Sequence, residues 1–404
     1  MNLLILFIAV AFIGSMKSVS FIGRVVTVGD FGFFAIIPLV IYLANRQVAF
    51  GRNVIGATEL SMGALLALLP VTAYMAKSLG NGTFLNGYRS LGFAAFAYVA
   101  GRLIATEREK LSWACVVVYA SVGIILYQSG LNIADFRYGQ DVTHLVGYQA
   151  EGLGNNINNL NLLGMLWCSI ACLAVCLVSG KSRDTSLGVL AIGLIMLMLA
   201  APGVVRSFSR SAYIYFMIVL IGFYFVLIRG RRNFIAAAAP LVVTSLIVLL
   251  VVSIVSDLSN TSFERVSDKL ASFSYEIGFR FDELLIAPIS NFFSSAQDTS
   301  LFLGVYNSPQ HSSASHYLVM FGIFGFIAYL VFQYNLIADG VRTARRLDSQ
   351  STGPRALAVF STLLAAFLLL NDLATNLLYY NPTFCYLSYF LLGLGRPYLR
   401  RDGR

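Results

Sequence analysis

Residues 309–330 read PQHSSASHYLVMFGIFGFIAYL, a polar segment running into an uncharged apolar one. Two of the three histidines in the chain, His311 and His316, stand at that junction. An imidazole titrates near neutral pH and both accepts and donates a proton, so a water-facing pair at a membrane surface is suited to proton-transfer chemistry. The plainer alternative is that His316 caps or anchors the helix end and His311 is a polar loop residue.

The rest of the chain sets the context. Of its 404 residues 58% are hydrophobic and 12% charged, against about a quarter charged in a soluble globule. Mean hydropathy is +0.76. Apolar runs of about 20 residues recur along most of the length, which marks a polytopic α-helical membrane protein. Only helices pair every backbone group internally in lipid. The net charge of +9 does not point to nucleic acid, because the basic residues are scattered through short loops and not gathered on one face. Cys168, Cys172 and Cys176 share a helical face, but no histidine or carboxylate accompanies them, and thiols are common small apolar fillers.

Twelve spans are expected, at roughly 2–16, 31–45, 55–78, 89–105, 111–128, 159–180, 185–201, 210–228, 234–256, 316–336, 356–373 and 378–395. They form a single transmembrane domain over residues 1–404. With the N-terminus inside, 18 of the 28 Lys and Arg fall on the cytoplasmic side, in the shorter loops. The positive-inside rule then places both chain ends in the cytoplasm. The other face receives all three histidines and the two longest loops, about 129–158 and about 257–315. In the second, Phe263, Val266, Leu270, Phe273, Ile277 and Phe281 recur at intervals of three or four. That pattern predicts short amphipathic helices lying on the membrane surface.

Several arginines remain on this outer face. Arg265 and Arg280 have acidic neighbours, Glu264 and Asp282. Arg206 and Arg210, in VVRSFSRSAYIYF, have only serines about them and open a span. Two unpaired guanidiniums at a helix N-terminus make an anion site, and their planar forks match the oxygens of a pyrophosphate. Outside a bacterial membrane such a ligand is most plausibly lipid-borne. A polyprenyl diphosphate glycan fits, with its tail in the bilayer and its diphosphate at headgroup level. Cleavage of the sugar–phosphate bond leaves a diphosphate that arginines stabilise without a metal, and the attacking hydroxyl needs a base, His311 or His316.

Two local motifs carry a resemblance. Ser209–Ala212 reads SRSA at the opening of a mid-chain span, and His311 stands eleven residues before Gly322, with Gly325 completing GIFG. In these features and in its arrangement of spans the chain resembles the O-antigen ligases and the O-antigen or exopolysaccharide polymerases, membrane glycosyltransferases of GT-C type. Members carry a histidine at the end of a large outer loop, usually followed by Asn, where this chain has Ser312. His316 offers a competing alignment, and the further loop arginine of the family maps to Arg280 or to Arg265. The segment GLGNNINNLNLLG, ahead of the sixth span, resembles the Asn-bearing span entry of relatives.

The resemblance implies a GT-C-like fold and metal-independent transfer without a cofactor. It implies an undecaprenyl-diphosphate-linked glycan as donor, a growing glycan or a lipid A core as acceptor, and a chain-length regulator as partner. Its setting would be the bacterial inner membrane, with the site facing the periplasm. A different class, a lipid-linked oligosaccharide flippase or other transporter, would place ionisable groups near the midplane and show related halves. Glu59 is the one clear acid read inside a span, and no half-to-half similarity is present.

Overall fold

The computed structural model describes residues 1–14, 18–21, 24–50, 54–75, 82–128, 280–295, 298–304, 312–347, 352–374 and 382–398, with Leu166 and Gly278. These residues are nearly all helical. The helices are α1 (Asn2–Gly14), α2 (Val28–Ala49), α3 (Ala57–Met75), α4 (Gly82–Ala105) and α5 (Arg108–Gln128). A π-helical turn, Arg280–Ile286, follows, and then α6 (Ala287–Ser295), α7 (Asp298–Leu303), α8 (Ser313–Arg346), α9 (Thr352–Ala374) and α10 (Pro382–Leu394). One departure from the all-α expectation is an antiparallel hairpin, β1 (Ser18–Phe21) with β2 (Arg24–Thr27), between α1 and α2.

Eight of the twelve expected spans fall on these helices, while 159–180, 185–201, 210–228 and 234–256 lie outside the described residues. Among the described residues, three helical segments are long and apolar enough to cross a membrane: Val28–Ala49, Ser313–Arg346 and Pro354–Asp372. α8 starts three residues before the expected 316 and runs ten beyond the expected 336. The surface helices expected from the 263–281 pattern fall almost wholly outside the described residues. Within the same loop, α6 and α7 lie further along, at 287–303.

Local chemistry explains the boundaries. Thr27 and Asp30 make a reciprocal capping box at the start of α2: the Thr27 Oγ1 accepts from the Asp30 N–H (3.2 Å) and the Asp30 carboxylate from the Thr27 N–H (2.8 Å). Two orphan donors are satisfied this way. Asp30 also pairs with Arg89 of α4 at 3.0 Å.

The core between α1, α2, α4 and α10 is aromatic. Phe33 stacks on Phe93 at 4.5 Å and meets Phe12 and Tyr386 edge-on. α10 lies backbone-close to α4, because a Cβ at Gly101 would strike the Phe390 carbonyl and one at Gly393 the Tyr98 carbonyl. Small residues at such crossings let helices approach without side chains between them. On α8, Phe324, Ile327, Leu330, Val331 and Tyr334 are exposed at helical spacing, a contiguous apolar stripe.

α3 and α4 pack antiparallel, as do α8 and α9, and polar groups gather at two ends. Thr58 and Glu59 at the start of α3 meet Arg102 near the end of α4 and Asp339 late in α8. Asp372, near the end of α9, meets Ser313 at the start of α8. About 26 residues of α8 separate the two clusters, roughly 39 Å of helix at 1.5 Å per residue before the kink is allowed for.

Candidate functional site

The histidine segment enters the described residues at Ser312, immediately after His311. Ser312 is the N-cap of α8, with extended φ/ψ (−90°, 137°), yet its hydroxyl makes no capping bond. It donates instead to the backbone carbonyl of Asp372 at 3.1 Å. Ser313, the first helical residue, donates from its Oγ to the Asp372 carboxylate at 2.9 Å. His316 lies one turn further on, its N–H donating to the Ser312 carbonyl (2.9 Å) as the first intrahelical bond. The helix end is therefore capped at Ser312, and His316 is not its cap. The His316 ring is half-buried and meets Tyr317 and Phe321 edge-on.

Asp372 is the residue that sequence reasoning missed. It lies inside the expected 356–373 span and is buried, at 8% exposure. Three neutral groups donate to its carboxylate: Ser313 Oγ, Tyr329 OH (3.0 Å) and Gln333 Nε2 (3.2 Å). The burial of an ionised carboxylate is tolerable only with such a set of bonds. Tyr329 in turn stacks on Tyr317 at 4.5 Å. The only sequence signal was an acid within an apolar run, LLLNDLA, read as part of a span end.

These partners lie on both sides of a break in α8. Gly322 has φ 66° and ψ −165°, a conformation essentially confined to glycine. The break admits the end of α7. A Cβ on Gly322 would run into the Phe302 carbonyl, and one on Gly304, itself at φ 76°, would lie 2.5 Å from the Gly322 nitrogen. Gly325 is required as well, since its Cβ would overlap that of Phe321. Gly322 thus makes a backbone-to-backbone contact between the loop and α8, and Gly325 leaves room for the Phe321 side chain beside the break. Beyond the break, residues 323–346 still extend about 36 Å.

At the opposite end, Glu59 accepts from Arg102 Nη1, from the Gly56 N–H (3.0 Å) and from Tyr398 OH (3.3 Å). The Arg102 guanidinium lies over the Tyr398 ring, 4.1 Å from its centre, and its Nε donates to the Arg396 carbonyl at 2.8 Å. Burial pushes the Tyr398 phenol above its usual range. Asp339 accepts from Thr58 (2.7 Å) and pairs with Arg342 (2.8 Å). Glu59 is thus a satisfied structural acid.

Of the other residues expected to act, His311, Arg206, Arg210 and Arg265 lie outside the described residues, as does His144. Arg280 opens the π-helical turn packed between α8 and α9. Asp282 and Glu283 on the same turn are exposed, and adjacent carboxylates do not flank one bond as paired glycosidic acids must. No protein-family model matches the chain, and no curated protein does either.

Proposed function

We propose that the chain is a membrane glycosyltransferase that polymerises undecaprenyl-diphosphate-linked oligosaccharide repeat units into O-antigen or exopolysaccharide on the periplasmic face of the bacterial inner membrane. The observation that carries this reading is the seating of the histidine segment. The residues following His311 are anchored by buried bonds at the end of the helical assembly, and Gly322, the first glycine of the sequence motif, forms the contact between that segment and the end of the loop helix α7. The basic-residue asymmetry of the loops and the exposed apolar stripe of α8 support the membrane setting.

On this reading Arg210 and Arg206 hold the donor diphosphate, with Arg280 or Arg265 added from the loop. The His311 imidazole takes the proton from the acceptor hydroxyl as that oxygen attacks the anomeric carbon. The C–O bond to the diphosphate breaks, and the arginines receive the leaving charge. His316 has an orienting role at the start of α8. A finished glycan moved to a lipid A core would be the same chemistry with another acceptor.

The test is chain growth in membranes supplied with lipid-linked repeat units. His311→Ala loses about 10²–10⁴ in rate while donor binding survives, and His316→Ala loses less. An inactive His316→Ala beside an active His311→Ala would exchange the two roles. The glycan profile of a deletion strain separates the alternatives: single capped repeats on lipid A indicate a polymerase, unattached long chains a ligase, and repeats trapped inside a flippase. For topology, a Cys placed at Ser295 is labelled from outside and one at Ser349 is not.

A further inference from the structure

Asp372 binds the chain at three places that local structure alone would leave independent. Its carbonyl holds Ser312, the residue after His311; its carboxylate holds Ser313 before the break in α8; and the same carboxylate holds Tyr329 and Gln333 beyond it. Tyr317 and Tyr329, stacked across the break, close the loop of contacts. A helix interrupted at Gly322 has lost the i→i−4 continuity that would make its first nine residues follow the rest rigidly. The Asp372 bonds replace that continuity.

We propose that Asp372 is a positioning residue for the transfer reaction inferred above: it fixes the segment of α8 before the break relative to the segment after it, and so holds the helix start that directly follows His311 in the chain. The inference rests on the proposed role of His311, but the fixing itself is a property of the fold. On this proposal Asp372 acts through Ser312 and Ser313.

The carboxylate is suited to this task in a way that its amide is not. All three of its partners donate, and a carboxylate is acceptor-only. In Asp372→Asn the amide N–H can be met only by a hydroxyl turned round to accept, Ser313 or Tyr329, so the set of bonds that now converges on the carboxylate must rearrange without any change of size. Misplacement of a reacting group by an ångström costs on the order of 100-fold in rate.

The experiment uses the full chain in membranes, with polyprenyl-diphosphate-linked oligosaccharide extracted from the source strain as donor. Asp372→Asn is expected to lower kcat roughly 10- to 100-fold while KM for the donor stays within about twofold of wild type. Asp372→Glu, which keeps the acceptor-only character, recovers part of kcat. A second arm does not depend on glycan chemistry. His311→Cys is labelled with a water-soluble maleimide, alone and combined with Asp372→Asn, and the site is located by mass spectrometry. Released from its anchor, position 311 reacts roughly threefold faster or more.

Should Asp372→Asn fail to accumulate, Ser313→Ala carries the same test, since it removes one bond and leaves the carboxylate with two. Labelling and kcat unchanged in a folded variant would overturn the proposal. So would a loss of activity that only follows the loss of folded protein. Faster labelling in a protein that never elongates glycan would sustain the anchoring and overturn the transfer reading instead.

Discussion

The two polar ends of the helical assembly solve the same problem by different means. At the Glu59 end, opposite charges meet: Glu59 with Arg102 and Asp339 with Arg342, joined by a phenol and by backbone groups. At the Asp372 end, among the described residues, a buried carboxylate is held only by two hydroxyls and an amide. A paired charge is a structural solution, since each ion offsets the desolvation of the other. A lone carboxylate held by neutral donors is less stabilising, and natural folds keep such arrangements where a site requires them. The difference separates an end that locks helices together from an end that aims a segment.

Substitutions at each end sharpen or break that separation. The largest effect on stability is expected from Glu59→Gln, which leaves Arg102 without its carboxylate in a setting where both side chains are nearly 90% covered. Breaking a buried pair from one side costs about 3 kcal/mol or more, visible as a lowered melting temperature in detergent. Turnover per folded molecule should be unchanged; a fall in turnover larger than the fall in folded protein would erase the contrast. Next comes Gly322→Ala, where strain of about 1–3 kcal/mol adds to the collision with the Phe302 carbonyl. This variant should lose both stability and elongation, because the contact serves the histidine segment as well as the packing.

Ser312→Ala removes one bond of about 1 kcal/mol and should affect chain growth more than melting. The reverse ordering would make Ser312 an ordinary helix-start residue. The smallest effect belongs to Arg342→Ala. Its side chain is 60% exposed, and exposed pairs contribute about 0–1 kcal/mol, so neither assay should move appreciably.

Hydropathy made much of the architecture legible before any coordinates, because a span announces itself through a continuous apolar run. Eight expected spans coincide with helices for that reason. What local pattern does not carry is the partner of a polar residue. Glu59 and Arg102 are 43 positions apart and Ser313 and Asp372 are 59, so nothing in either neighbourhood announces the other. The glycine pair was visible as a motif, but its conformation was not: an apolar period of three or four continues straight through Gly322. Only the approach of α7 explains why the helix must break there.

The seam between α4 and α10 has a consequence for how the protein is made. The Arg102 guanidinium needs the Arg396 carbonyl, the Thr106 hydroxyl accepts from the Tyr398 N–H, and the Tyr398 phenol reaches Glu59. These connections join residues about 290 to 340 positions apart. During synthesis, α3 and α4 must therefore wait, with an acid and an arginine only partly satisfied and Gly101 of α4 uncovered, until α10 has emerged. A chain cut short before α10 would leave exposed the surface that the finished protein hides.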